Sequence, residues 1–231
     1  MIETVFLDAG GVLVFPNFVR ISEALARHGV HVGAAALAAA EPHSKRRLDV
    51  GDTIQATDDA RRGWLYFNLI LTQAGVALSE ATDAALAELG TYHAAHNLWE
   101  LVPDDVPPAL DRLRALGLRL VVVSNANGTL KSMLARLGLD HRFDVLLDSH
   151  DEGVEKPDPR LFRLALDRAG ARPETTVHVG DLYHVDVVGA RAAGLRAILL
   201  DAAGLYEAYD CPRVRTLGEL AERLAAGRTE A

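Results

Sequence analysis

Cysteine is almost missing from this chain: Cys211 is the only thiol in 231 residues. One cysteine cannot close an internal disulfide or build a thiolate metal cluster, so disulfide scaffolds and zinc-finger types are excluded. With no histidine near it in sequence, Cys211 reads as a free thiol, near the surface or in a small packing site. Positive charge is short as well, with 24 basic against 32 acidic residues and a formal net charge of −8. Such a field repels phosphate backbones and argues against nucleic acid as a partner. It leaves room for a small anion, because a local cationic pocket overrides the global field. Lysine is scarcest among the basic residues, limited to Lys45, Lys131 and Lys156. No apolar run approaches the ~20 residues of a membrane span, so no membrane partner is expected. Ile2 to Leu7 follow the first residue without a basic leader or a cleavage signal, and a cytoplasmic protein is the expectation.

What is present is a composition 49% hydrophobic, enough for a packed core and incompatible with a disordered chain. Thr4 to Ala9 reads as a buried strand that runs into the Gly10-Gly11 turn. From about Asn17 to Asn97 there is almost no strand pattern. Helices are expected over Arg20–His28, Gly33–Glu41, Thr53–Gln73 and Ser79–His96, with Ser79 as an N-cap. After Pro103 the pattern alternates. Strands at Leu118–Val123, Phe143–Leu147, Thr176–Val179 and Arg196–Leu200 are interleaved with helices at Pro108–Leu116, Gly128–Leu137, Pro159–Ala169 and Val185–Ala193. Alternation of this kind implies right-handed βαβ units and a parallel sheet. The expected fold class is α/β, with residues 1–15 and 98–231 forming the sheet domain and 16–97 an all-helical insert. Gly227 to Ala231 read as a loose tail.

Polar residues stand at strand ends where packing does not call for them. The first strand ends at Asp8, the second at Ser124-Asn125. The third leads into Glu155-Lys156-Pro157-Asp158-Pro159, and the fourth into Gly180-Asp181 with Asp186 five residues on. A parallel sheet brings these points to one crevice beyond the carboxyl ends of its strands. Buried charges must be paired or bound to metal. A divalent cation held by Asp8 and Asp181, with Lys156 balancing charge, is the simplest arrangement. An all-oxygen ligand set suits Mg2+.

The order Asp8-x-x-Gly11-x-Leu13, Ser124-Asn125, Lys156-Pro157 and Gly180-Asp181-x-x-x-x-Asp186 resembles the four motifs of the haloacid dehalogenase superfamily. The resemblance covers the α/β domain almost end to end, and the helical insert resembles that family's first-position cap. It implies a Rossmann-like three-layer α/β/α core and a magnesium-dependent hydrolase with a small phosphorylated substrate. It implies Asp8 as nucleophile, and Ser124 and Lys156 as ligands of the transferring group, with Gly11 and Asn125 also lining the substrate. Mg2+ would be bound by Asp8, Asp181 and the backbone carbonyl of Gly10, with Asp186 supporting Lys156 or the metal's water shell. A monomer or homodimer is expected.

One position departs from the pattern. Phosphatases of the superfamily carry a proton-transferring aspartate two residues after the nucleophile, where this chain has Gly10. General acid–base help is typically worth ~10²–10⁴-fold, so alkoxide leaving groups should suffer and acyl or aryl phosphates less. Haloacid dehalogenases carry tyrosine there and another after the third motif, where this chain has Phe162. Phosphonate-cleaving relatives have a small residue there and a Schiff-base lysine in the cap. Here Lys45 sits in Ser44-Lys45-Arg46-Arg47, which reads as a solvated basic face. Dehalogenase, phosphonate hydrolase and a non-catalytic phospho-ligand-binding protein are the alternatives. Tyr183 and His184, beside Asp181, are candidate stand-in proton carriers, and His178 reads as a packed strand histidine. Trp64, Tyr66 and Phe67 read as core, and Arg46, Arg47, Arg61 and Arg62 as solvated.

Overall fold

A computed structural model describes residues 1–227; Arg228 to Ala231 of the expected tail lie outside the described residues. Six parallel strands form one sheet. They are β1 (Thr4–Leu7), β2 (Arg119–Ser124), β3 (Val145–Asp148), β4 (Thr176–Gly180), β5 (Arg196–Leu200) and β6 (Arg213–Val214), in the order β3-β2-β1-β4-β5-β6. The four residues of β1 are all buried, as a central strand of a doubly covered sheet requires. β1 pairs on both sides, with Leu7 opposite Val122 of β2 and Val179 of β4. Phe6, Val121, Val123 and Leu147 pack with Leu161, Phe162 and Ala165 of the helix Pro159–Ala169 in one cluster. Cys211 is buried in that same cluster, the packing site anticipated for it. The helices flank the sheet, giving the expected α/β architecture.

The chain divides into two compact units, residues 1–15 with 101–231, and residues 16–100. The second unit has its own core, with Ile21, Leu25, Leu37, Ile70, Leu71 and Leu86 among its buried residues. Ser79 caps the helix Glu80–His96 through a capping box with Thr82. The expected Thr53–Gln73 helix is broken into Gly51–Ala56 and Asp59–Gln73, because Asp58 turns its carboxylate onto the Arg61 N–H and starts a new helix. The Gly33–Glu41 helix instead spans Ala34–Leu48, continuing through Pro42. Proline removes one helical donor, yet Ala40, Glu41, Ser44 and Leu48 around it are all buried, and that packing keeps the segment helical.

Two expected surface residues are interior. Lys45 has a side chain only 14% exposed, 3.6 Å from the buried Glu41 carboxylate, which also accepts from Tyr66 Oη at 3.0 Å. Arg62 is buried and donates to the carbonyls of Ile54 and Thr57 that the helix break leaves open. Trp64, expected in the core, is 49% exposed, whereas Tyr66 is buried and Phe67 packs against the cluster. Lys45 turns onto Glu41 one turn back in its own helix, whereas Arg62 reaches the end of the preceding helix, and apolar spacing reveals neither. Among the described residues no helix is long and apolar enough to cross a membrane.

Candidate active site

The carboxyl ends of four adjacent strands deliver the site. Asp8 is the first residue past β1, still tied to β4 by its N–H to the Val179 carbonyl at 2.9 Å. The chain then folds back at once, with the Ala9 carbonyl accepting from Leu13 and Val14 at 2.8 and 3.0 Å. That tight turn has Gly11 at φ +74°, a left-handed conformation natural to glycine. A Cβ on Gly11 would lie 1.8 Å from Asp181 Oδ2. Glycine there is therefore what lets the β1 turn and the β4 carboxylate occupy adjoining space.

Asp8 Oδ1 accepts from its neighbour Ala9 N at 2.7 Å and from Ser124 Oγ at 2.8 Å, while Oδ2 is 3.0 Å from Lys156 Nζ. Lys156 is fully buried and reaches Asp186 Oδ1 at 2.7 Å on its other side. Asp186 Oδ2 accepts the backbone N–H groups of Asp181 at 3.2 Å and Leu182 at 3.0 Å. Asp186 sits in a single π-turn, Tyr183–Val187, that precedes the helix Val188–Ala192. The regular helix expected from Val185 is thus widened at its start, a distortion common at functional sites. A Cβ on Gly180 would fall 2.0 Å from Asp186 Cγ, so the glycine before Asp181 also makes room for a carboxylate.

The Asn125 side chain is engaged with backbone. Its Oδ1 accepts from Lys156 N at 2.7 Å and its Nδ2 donates to Lys156 O at 3.0 Å. This reciprocal pair pins the lysine's backbone, beside a cis Lys156–Pro157 peptide bond, to the end of β2. Asn125 was expected to line the substrate; the observed bonds make it a clamp on Lys156. Sequence reasoning also missed what His178 touches. This fully buried β4 residue places Nε2 3.0 Å from Asp186 Oδ1 and stands edge-on to Phe162. An isolated histidine in a valine strand was the available signal, but its partner lies eight residues away across the π-turn. His184 stands edge-on to Tyr183 and Tyr209, and Tyr183 meets Tyr209 at a tilt.

Electrostatically the cluster is lopsided. Asp8, Asp181 and Asp186 are all buried, with ligand oxygens within 4.8 Å of one another. The Lys156 ammonium pairs with two of these three carboxylates, Asp8 and Asp186. Burial, reinforced by Asp186 and Asp181 and opposed by Lys156, pushes Asp8 up to about 7. Burial works against Lys156, but Asp186 and Asp8 more than compensate and hold its ammonium well above the ordinary lysine range. Burial also opposes Asp186, yet Lys156 and His178 keep its carboxyl well below the usual range. Burial pushes His178 down, so its ring is neutral and Nε2–H is the donor to Asp186. A divalent cation against Asp8 and Asp181 would offset the carboxylate charge and return Asp8 to its anionic form. The donor set is entirely oxygen, which fits Mg2+ and not zinc.

The family comparison agrees with this geometry. The sequence model of the haloacid dehalogenase-like hydrolases matches residues 2–194, and the chain belongs to that family. That is the superfamily its motifs resemble. Over 127 residues it is 37% identical to haloacid dehalogenase-like hydrolase domain-containing protein 3 of Mus musculus, covering 55% of this chain and 50% of that protein. It is 35% identical over 139 residues to the glyceraldehyde 3-phosphate phosphatase of Methanothermobacter thermautotrophicus, covering 59% of this chain and 60% of that protein. The chain therefore spans about half the length of the first relative and little more of the second. Among solved structures, a 2-haloacid dehalogenase from Pseudomonas syringae pv. Tomato superposes with a TM-score of 0.60 at 29% identity, over 98% of this chain and all of that one.

Proposed function

We propose that this hydrolase is a magnesium-dependent phosphatase of a small phosphorylated metabolite, with Asp8 as the nucleophile. The observation that carries the reading is the buried triple of Asp8, Asp181 and Asp186 balanced by one lysine. A dehalogenase nucleophile needs no cation, whereas three buried carboxylates with oxygens within 4.8 Å of one another suit one. Phe162, at the position where the dehalogenase pattern has tyrosine, is fully buried against His178 and offers no hydroxyl.

One oxygen of the Asp8 carboxylate attacks phosphorus, and the bond to the leaving oxygen breaks with its electron pair. Lys156 Nζ and Ser124 Oγ, already at Asp8, donate to the equatorial oxygens of the phosphoryl group as charge accumulates there. Asn125 and Asp186 hold the lysine from its backbone and from its tip. Water then cleaves the aspartyl-phosphate and returns the free carboxylate and phosphate. Mg2+, held by Asp8, Asp181 and the Gly10 carbonyl, supplies charge neutralisation when bound. Gly10 has no side chain to protonate the leaving oxygen, so activated leaving groups are favoured. The helical unit is assigned the substrate-selecting role of an inserted cap. The acidic, nearly cysteine-free composition supports a cytoplasmic setting and a small-molecule partner, with the chain a monomer or homodimer.

The test is a panel of acetyl phosphate, an aryl phosphate, sugar phosphates and a 2-haloacid with Mg2+, alongside Asp8→Asn. Turnover of the activated phosphates, lost in the variant, is expected. Halide release would replace the reading with dehalogenation. Equal rates on aryl and sugar phosphates would refute the role given to Gly10.

A further inference from the structure

We infer that His178 is a positioning residue for the reaction: its Nε2–H fixes the Asp186 carboxylate, which in turn aims the Lys156 ammonium at Asp8. The role rests on Lys156 serving the site as proposed above. Three observations carry it. First, His178 lies within a strand whose neighbours Val177 and Val179 are apolar, and it is completely buried. Its Nδ1 has no hydrogen-bond partner. Packing alone does not favour a ring nitrogen left unsatisfied there, since valine or leucine would fill such a space without one.

Second, Asp186 Oδ1 receives two side-chain donors, Lys156 Nζ at 2.7 Å and His178 Nε2 at 3.0 Å. Oδ2 receives two backbone donors, from Asp181 and Leu182. The backbone pair anchors one oxygen and leaves rotation about the carboxylate axis to be fixed by the other. His178 is the donor on that oxygen that does not itself face Asp8. Without it, Lys156 alone would set the position of the group that is meant to position Lys156. Third, the imidazole is wedged edge-on against Phe162 with ring centroids 4.9 Å apart, and Phe162 is itself held by the close approach of Gly189, where a Cβ would meet it at 2.8 Å. The orientation of Nε2 therefore derives from the core of the sheet.

The chain contains three lysines, so 15N-lysine labelling yields three ammonium groups, and Lys45→Arg and Lys131→Arg identify the Lys156 signal by elimination. In His178→Leu that signal should shift or broaden, and in His178→Gln, whose amide nitrogen reaches the place of Nε2, it should return towards the wild-type position. An unchanged signal in His178→Leu, or an equal displacement in both variants, would overturn the inference. Should the leucine variant fail to fold, His178→Asn, whose amide is too short to reach Asp186, takes its place. Kinetics give a second reading. Loss of an outer partner of this kind costs about 10–100-fold, and the fall in kcat in His178→Leu should be matched by weaker inhibition by orthovanadate, with inhibition by inorganic phosphate little changed. A purely structural defect lowers the active fraction and moves neither inhibition constant, which would refute the positioning role. If the wild type neither turns over activated phosphates nor responds to vanadate while the ammonium signal behaves as expected, the phosphatase reading fails and the His178 linkage stands.

Discussion

Replacing Lys156 by methionine should destabilise the sheet unit sharply, and more so as pH rises. The ammonium is fully buried, 3.0 Å from Asp8 and 2.7 Å from Asp186, and methionine keeps most of the volume without the charge. Removing one partner of a buried ion pair typically costs about 3–5 kcal/mol, because the other charge is left uncompensated. For a chain of this size that is roughly 6–20 °C in the unfolding temperature. The pH dependence follows from the two carboxylates. Asp186 is depressed in the folded wild type, so it contributes stability above its unfolded pKa, and that contribution fades as pH falls through the folded value. Asp8 is raised, so its ionisation destabilises the fold as pH rises toward about 7. Removing Lys156 abolishes the first contribution and enlarges the second penalty. The deficit of the variant should therefore already be present near pH 4.5, where Asp186 still contributes in the wild type, and grow further towards pH 8 as the Asp8 penalty enlarges. Urea unfolding of metal-free protein at pH 4.5, 6 and 8, followed by circular dichroism, measures it. A Lys156→Met/Asp186→Asn double variant should recover part of the loss, since it removes charge of both signs. A deficit independent of pH, or strict additivity in the double variant, would show that the buried charges are not coupled as described.

Four shorter expectations follow from the same geometry. Gly11→Ala should push Asp181 aside, its Cβ falling 1.8 Å from Oδ2, and misplacement on that scale lowers turnover by about 10²; wild-type kcat in this variant would refute it. Mg2+ affinity, measured calorimetrically, should weaken at pH 6 relative to pH 8, because Asp8 in the metal-free protein titrates at about 7 and must lose its proton to bind; equal affinities would contradict the charge balance. Gly10→Asp should raise turnover of sugar phosphates by up to ~10²–10⁴ with little gain on acetyl phosphate, and a uniform gain would mean protonation is not what position 10 lacks. Burial pushes the Cys211 thiol up, so a thiol reagent at pH 8 should label it slowly until urea unfolds the sheet unit; rapid labelling of the native protein would place it at the surface.

Strand periodicity and glycine punctuation located five of the six sheet strands to within about two residues, because buried parallel strands read as continuous Val/Leu runs. Arg213–Val214 escaped because two residues carry no period. The candidate residues Asp8, Ser124, Lys156, Asp181 and Asp186 were legible because the ends of parallel strands must converge. What those residues touch was less so. The Asn125 clamp joins segments 31 residues apart, and the His178–Asp186 bond and the contacts of Lys45 and Arg62, though short in sequence, depend on where a turn or helix break points the side chain, which apolar spacing does not encode. The break at Asp58 did have a local signal, since Thr57-Asp58-Asp59 is a run suited to helix capping, but apolar spacing on either side masked it.

The placement of β1 has a consequence for how the protein comes into being. Of the six sheet strands this one leaves the ribosome before the others, yet its two neighbours are β2 and β4, with Val5 in register with Leu120 and Val177. At synthesis rates of ~5–20 residues per second, Val5 waits roughly 10–30 s for the later partner to exist. Throughout that interval the Thr4–Leu7 strand has both edges open, while residues 16–100, which have a core of their own, are already complete enough to fold. The nascent chain thus passes through a stage in which residues 16–100 can be native while Asp8 trails an unpaired, adhesive segment. For such a chain, yield in the cell depends on shielding Thr4–Leu7 until residue 180 has emerged.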